Sequence, residues 1–467
     1  MASESRASQD VVTWLHRFEG SAKMAISSLG IGPLDEARRL TDGQRAVVVI
    51  LILLVARAVI VFGILPTLSQ SLGANYQAEL FPDRYDMIAE NLVNGNGYRV
   101  YADTSETMLR SPGFVLILAA IFALFGKTLL VVQFVQFLMS AATAAMVYLI
   151  SQRLLSFPRV SLAAAALVLV HPVLMMSDTR GGTDTTLAFC LTATLWLLFR
   201  AIDTRRWVDF GLTGLVLGYT MLVKASVALI FPAIFLFLAW SATSGAQLRT
   251  LIRNFAITGA LAALVMAPWV IRNFELSGEF VPTMTAGPMA MFQGEEGGRI
   301  GFGGKDSWVV FETVSDEQIR IGHEMGLHMR DDFFPQFYQV SDELAFYNEL
   351  GHRAWAEYQA HPTLLAAAIA HNSWAFWFQG RTQKATLINI IIVLPFLLLS
   401  VFGAIFCIIR NRATWLIVIS VAAFILPHLV ILAVARYCTA VIPIMSILAA
   451  GSLLAFSDRQ EAVDKPA

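Results

Sequence analysis

Charge is scarce in this sequence. Only 14% of residues are Asp, Glu, Lys or Arg, where soluble domains run nearer a quarter, and they almost cancel to a net charge of −1. No long basic run is present, so nothing recommends nucleic acid as a partner. Cysteine is rarer still. Cys190, Cys407 and Cys438 all fall within apolar segments, which indicates neither a disulfide framework nor a cysteine-based metal motif. There is no internal repeat, no low-complexity tract and no GxGxxG nucleotide fingerprint. The N-terminal stretch also lacks the short apolar core and cleavage site expected of a signal peptide.

What the chain has in excess is hydrocarbon. Hydrophobic residues make up 57% and mean hydropathy is +0.63. Apolar runs able to cross roughly 30 Å of bilayer lie near 46–66, 128–151, 158–177, 185–201, 208–223, 225–242, 252–271, 387–409, 414–434 and 437–456. They predict an all-α, polytopic integral membrane protein with about 10 full spans. The stretch "VVTWLHRFEGSAKMAISSLG" (11–30) is mildly amphipathic and suits the membrane surface.

Lysine and arginine placement then orients the chain. With the N-terminus cytoplasmic, Arg38, Arg39 and Arg45 flank the first span on the inside. Arg153 with Arg159, Arg200 with Arg205 and Arg206, Arg249 with Arg253, and Arg410 with Arg412 fall inside as well. The pattern holds only if two shorter apolar segments, 113–126 and 363–378, do not cross. They are read as interfacial or re-entrant helices on the outer face. Segments 67–112 and 272–362 therefore face outward.

The charges left over are concentrated there. Arg110, Arg180, Lys224, Arg272 and Arg436 all sit at the outer ends of spans. Glu79, Asp83 and Asp86 lie in the first outer loop, and Asp178 and Asp184 in the loop "SDTRGGTDTT". Ionisable groups beside a bilayer are costly unless they pair, snorkel or line a wet cavity. An interface anchor explains any one of them, whereas the set on one face points to a cavity. Its substrate would have to be available at the outer leaflet, and a lipid-linked one would be delivered by the membrane.

The first outer loop resembles that of the GT-C glycosyltransferases, especially the bacterial family 39-like and aminoarabinose-transferase-like members. Those carry an acid, a Y-x-x-x-A-x-x-L-x-x-G-x-G-Y run, and then an Arg/Lys-Pro-Pro or Arg-x-Pro-Gly turn. Here Tyr85, Ala89, Leu92, Gly95, Gly97 and Tyr98 occupy those positions, followed by "RSPGF" from Arg110. "APWVIRNFELSGEFVPTMTAG" (267–287) and "ARYCTAVIPIMSILAA" (435–450) add to the likeness, which runs from about residue 46 to 456. The family's acid stands about four residues before the tyrosine, where this chain has Phe81. Asp83 stands two before it, which leaves Glu79 and Asp86 as competitors. Lys224-Ala225 stands where the family often has Arg-Pro.

The resemblance implies a GT-C-like bundle and a membrane glycosyltransferase that takes its sugar from a polyprenyl-phosphate carrier. The acceptor would be lipid A or another glycolipid, a polysaccharide or a protein, and the site would face the periplasm from the cell inner membrane. It divides the chain into a cytoplasmic segment 1–45, a catalytic transmembrane module 46–271, an outer-face segment 272–386, transmembrane helices 387–456 and a cytoplasmic tail 457–467. Because a sugar phosphate already carries a good leaving group, the chemistry needs a base for the acceptor and cations for the departing phosphate. Asp83 is the expected base, with Asp86 its rival. Asp184 is the expected second acid or, alternatively, a helix N-cap. Arg110, Lys224, Arg436 and Arg272, with Tyr85 and Tyr98, are the expected substrate and phosphate ligands. No cofactor is implied, and the need for a divalent metal and the oligomeric state are left open. His323 and His328 lack ligand spacing. Trp269, and Trp374 and Trp377 near His371, read as interface aromatics. A transporter or flippase of lipid-linked sugar is the rival reading, although no paired half-sequences of the kind transporters show are visible.

Overall fold

The computed structural model describes residues 42–67, 83–300, 307–332 and 334–455. The predicted tail 457–467 and all but residues 42–45 of the predicted segment 1–45 lie outside these residues, as does Glu79. By compactness the chain divides into Met1–Ala56 and Arg57–Ala467. The described part of the first unit is the leading portion of helix α1 (Asp42–Val59).

The second unit is almost wholly helical. Its helices are α2 (Tyr85–Val93), α3 (Pro112–Phe125), α4 (Leu129–Leu155), α5 (Pro158–Val170), α6 (Pro172–Asp178), α7 (Asp184–Thr204), α8 (Trp207–Val223), α9 (Ile230–Trp240) and α10 (Gly245–Ser277). After them come α11 (Ala286–Ile300), α12 (Ser307–Glu324), α13 (Val340–Ala360), α14 (Pro362–Phe378), α15 (Gln383–Arg410), α16 (Trp415–His428) and α17 (Ile442–Gly451). A minimal antiparallel pair, β1 (Met329–Arg330) and β2 (Gln336–Phe337), is registered Met329 opposite Phe337.

Each predicted apolar run has a helical counterpart, but fewer reach spanning length. Among the described residues five helices are long and apolar enough to cross a membrane, or six if the bent pair α5–α6 counts as one. The runs read as spans 208–223, 225–242, 414–434 and 437–456 are shorter helices, three of them entered through 3₁₀ turns at Ala225–Leu229, Arg412–Thr414 and Ala435–Ala440. Lys224 caps the first of these turns and Arg436 lies within the last, where irregular backbone suits a polar interior better than lipid. The segments 113–126 and 363–378 form α3 and α14.

Packing follows the membrane rule of small and hydroxylic residues between helices. Thr194 of α7 meets Thr220 of α8 at 3.1 Å, and Thr258 of α10 donates to the Phe210 carbonyl of α8 at 3.0 Å. One interior device escaped the sequence reading. Pro172 has no N–H, so the break between α5 and α6 frees backbone carbonyls. Arg57 fills the gap, donating to the carbonyls of Val168 (3.1 Å) and Leu169 (2.7 Å). The same guanidinium pairs with Asp178 at 2.7 Å, and both side chains are fully buried. Ser140 and Thr185 donate to the other carboxylate oxygen. Asp178, weighed from the sequence as a lesser outer-face acid, is thus half of an internal ion pair. The only sequence sign of it was a single arginine inside the first apolar run.

The long polar segment between α10 and α14 folds on a core of its own. Met289 and Phe292 of α11, Ile321 of α12, Phe337 of β2, and Phe346 and Leu350 of α13 bury one another, and Leu109 of the first loop enters the same core. The loop is sewn to this segment by backbone bonds from Ser105 to Phe337 and from Thr285 to Met108.

Candidate functional site

The first loop turns on its glycines. Gly95 and Gly97 adopt φ of +79° and +86°, a left-handed backbone that disfavours side chains, and they close the "NGNGY" turn after α2. The chain then runs back so that Arg110 precedes α3. Gly113, in the first turn of α3, lies against the backbone of Leu222 and Val223, where a Cβ would come within 2.7 Å of the Val223 nitrogen. Tyr219 donates to the Gly113 carbonyl at 2.9 Å. The "RSPG" turn therefore seats Gly113, three residues after Arg110, directly against the end of α8, which Lys224 follows.

Asp83 is the centre of the resulting cluster. Arg436 grips its carboxylate with both nitrogens, at 2.9 and 3.1 Å. Arg110 Nε donates to the Asp83 carbonyl at 3.0 Å, and its Nη2 stands 3.9 Å from the carboxylate. That Nη2 is buried and makes no hydrogen bond. Burial works against the charge on Asp83, but Arg436, Arg110 and Lys224 outweigh it and hold the carboxyl at about 2. Arg110 also lies 4.4 Å from the Phe334 ring and 5.6 Å from that of Tyr85, which the loop buries beneath it.

Lys224 lies between α8 and the following turn, outside both helices. Its ammonium sits 3.3 Å from the centre of the Tyr437 ring. Desolvation brings it down to about 7, against the pull of Asp184 and Asp83, with Arg436 and Arg110 reinforcing the drop. Asp184 is within electrostatic reach of Arg436, Lys224 and Asp83. It is not the N-cap. Thr183 holds that position, and Asp184 opens the first turn of α7, where a carboxylate faces the positive end of the helix.

Other expected residues are occupied elsewhere. Asp86 pairs with Lys127 at 2.8 Å, a lysine that also binds Glu90. Arg272 is held by Glu106 (3.2 Å) and the Thr107 carbonyl (2.9 Å), over the rings of Trp269 and Tyr98. Tyr98 donates to the Arg110 carbonyl at 3.0 Å, so it fixes the backbone of that arginine. Trp269 donates to the Thr283 carbonyl. His323 pairs with Asp331, and His328 stacks on Tyr338. Among the described residues no group of three His, Cys, Asp or Glu side chains could hold a metal ion.

Two functional positions were missed. Tyr437, inside the quoted "ARYCTAVIP" stretch, is the ring that Lys224 and Arg436 share. Glu343 of α13, fully buried, accepts from Thr107 Oγ1 (2.7 Å), Met108 N (2.9 Å) and Thr285 Oγ1 (2.7 Å). Burial pushes its carboxyl up, against those donors. It pins the strand leading into Arg110 from a distance in sequence at which no motif could signal it.

The site thus brings three cations and two carboxylates together from five places in the chain. Such a surplus of fixed positive charge in a buried setting suits a phosphate.

Comparison with known proteins leads the same way. Residues 110–271, about a third of the chain, match the family described as dolichyl-phosphate-mannose-protein mannosyltransferase. The match takes in Arg110, Asp184 and Lys224. The undecaprenyl phosphate-alpha-4-amino-4-deoxy-L-arabinose arabinosyl transferase 1 of Pseudomonas fluorescens (strain Pf0-1) is 24% identical over 223 residues. That match covers 46% of this chain but only 37% of the relative's length. Among solved structures, ArnT from Cupriavidus metallidurans bound to undecaprenyl phosphate aligns over 89% of this chain and 81% of its own, at 13% identity and TM-score 0.39. The Archaeoglobus fulgidus oligosaccharyltransferase aligns over 81% and 45%, at 14% identity and TM-score 0.46. Scores of this size carry no weight of their own. The family match and the curated relative are likenesses to glycosyltransferases, each over less than half of the chain.

Proposed function

We propose that this chain is a membrane glycosyltransferase that moves a sugar from a polyprenyl-phosphate carrier to an acceptor on a glycolipid such as lipid A, a polysaccharide or a protein. One observation carries the reading: a buried carboxylate, Asp83, held in reserve by arginines that a phosphate would compete for. In the proposed step the acceptor oxygen bonds to the anomeric carbon as the bond from that carbon to the phosphate oxygen breaks. The acceptor proton passes to Asp83, and the electron pair leaves with polyprenyl phosphate. With Arg436 and Arg110 turned onto the phosphate, Asp83 regains basicity. Lys224 adds charge to the same pocket, and Asp184 orients the acceptor.

In this reading the shorter apolar helices complete about ten crossings and the site opens to the periplasmic side of the inner membrane. Segment 46–271 with its outer loop is the catalytic module, 272–386 is its cover, 387–456 completes the bundle, and the ends are cytoplasmic. The transporter reading finds no support in the family match or the curated relative.

Turnover and topology are tested separately. Native mass spectrometry of the purified protein should find a polyprenyl phosphate or its sugar-loaded form. Supplying a polyprenyl-phosphate sugar with candidate acceptors should release polyprenyl phosphate in step with acceptor glycosylation. Carriage of intact donor across vesicles without that release would overturn the enzyme reading. For orientation, a cysteine at Asp103 should react with an impermeant thiol reagent in intact cells and one at Thr204 should not; the reverse would invert the topology.

A further inference from the structure

The hairpin of α7 and α8 has a second charged end. With 21 and 17 residues, the two helices carry it roughly 25–30 Å from Asp184 and Lys224, about the hydrocarbon thickness of a bilayer. There Arg205 and Arg206 of the connecting turn and Arg253 of α10 surround a cleft of about 340 Å³, whose remaining walls are Trp207, Val208 and Ile257.

Basic residues at a helix end are ordinarily anchors, but the neighbouring charges separate this group from the rest. Asp203, two residues before the turn, is taken by Arg153 through two bonds of 2.6 Å. Asp209, in the first turn of α8, is taken by Arg200 at 3.1 Å and by the Thr204 hydroxyl at 2.6 Å. Both nearby acids are therefore neutralised by other arginines. Arg205, Arg206 and Arg253 are exposed, and none forms an ion pair among the described residues. Among the described residues the Arg253 guanidinium has only the Asn254 amide oxygen, at 3.4 Å. The turn adds to the positive field, because α8 begins at Arg206 without a side-chain cap.

The cleft wall is apolar where the arginines are not. Trp207 is 64% exposed and Val208 43%. An indole at this depth suits the headgroup boundary. A free phosphate ion would need neither the apolar wall nor a cleft of this size, whereas a phosphate carrying a glycerol and acyl chains would use both.

We infer that this cleft binds the headgroup of an anionic phospholipid, its phosphate held by Arg205, Arg206 and Arg253 and its chains lying along Trp207, Val208 and Ile257. Basic pockets between helices are a general route to lipid phosphate recognition. The inference does not rest on the glycosyltransferase reading, since none of these residues belongs to the Asp83 cluster.

The test titrates phosphatidylglycerol onto the full-length purified protein by native mass spectrometry. Phosphatidylcholine and inorganic phosphate serve as comparison ligands. Each arginine near a lipid phosphate is worth roughly fivefold in affinity, so R205Q/R206Q/R253Q should weaken the tightest phosphatidylglycerol site roughly a hundredfold. R253Q alone, on a different helix, should cost about fivefold and serves if the triple variant fails to purify. Arg159 and Arg249 lie on the same face but outside the cleft, and R159Q/R249Q should leave that site unchanged. Phosphatidylcholine should not compete. Undiminished binding in the triple and single variants would overturn the proposal, as would an equal loss in R159Q/R249Q, the mark of diffuse attraction. Displacement of the lipid by millimolar inorganic phosphate would likewise overturn it, assigning the cleft to a soluble anion.

Discussion

Two aspartate–arginine pairs of the same chemistry have opposite characters, one sealed in the interior and one partly open. Asp178 and Arg57 are both inaccessible, and every strong partner either could want is present: two backbone carbonyls, two hydroxyls and each other. Asp83 and Arg436 are just as close, but their surroundings are unbalanced. Arg110 leaves a buried nitrogen without a hydrogen bond, and Lys224 stands over an aromatic ring instead of on a carboxylate. A saturated pair holds helices together. A pair with cationic surplus and spare donors is prepared for something that is not part of the chain. Access marks the same division, because the Asp178–Arg57 side chains are fully buried whereas Arg436 is 32% exposed beside Asp83 at 12%.

Asparagine at each aspartate should break the comparison apart. D83N keeps shape and removes the base, so turnover should fall at least about 10²-fold, while co-purified lipid persists. An active D83N would end the role assigned to Asp83. D178N should do the reverse. Leaving Arg57 with a weakened partner costs about 3–5 kcal/mol, seen as early thermal unfolding in detergent. Turnover per folded molecule should hold. Replacing both partners, as R57M/D178L, should recover a substantial part of that loss, because an apolar pair avoids the stranded charge. A double variant worse than the sum of the singles would mean that the carbonyls of Val168 and Leu169 are what Arg57 chiefly serves.

The same contrast explains how much could be read from the sequence. Apolar run length is a local property, so every predicted span has a helix beneath it. Charge at span ends is local too, which is why Asp83, Arg110, Lys224, Arg436 and Asp184 could be named together before any geometry. The breaks at Lys224 and Arg436 were legible as charges between apolar runs, but the 3₁₀ form of the backbone there was not, because it is set by the surroundings of the cavity and not by local hydropathy. Pairing across the chain was hidden for the same reason. Arg57 meets a partner 121 positions away, and Glu343 meets Thr107 across 236. Neither has a local pattern. Arg272, named for its motif, is occupied by Glu106 and two aromatic rings.

Glu343 sharpens the comparison at lower amplitude, since it positions Arg110 through the backbone without touching the cluster. In E343Q an amide nitrogen faces donors that had a carboxylate, at a cost of about 1–3 kcal/mol. Faster hydrogen exchange at Met108 should accompany a loss of turnover on the order of tenfold. Slower turnover with unchanged exchange would show that Glu343 acts by some route other than holding the loop.

Lys224 offers the smallest effect and the finest test, because it titrates where Asp83 does not. Its ammonium is held at about 7, so the charged fraction falls as pH rises through neutrality. The donor phosphate selects the charged form. Donor KM should therefore rise between pH 6 and 8, by up to about tenfold, while kcat at saturating donor stays flat because bound phosphate restores the charge. The donor-free protein should move in the opposite sense. A lysine depressed on folding binds fewer protons in the native than in the unfolded state between about 7 and its ordinary value. Over that window its contribution makes stability rise with pH. K224R, charged throughout, should flatten the KM profile and remove that share of the stability slope together. A KM profile that keeps its slope in K224R would assign the titration to another group and take Lys224 out of the phosphate pocket.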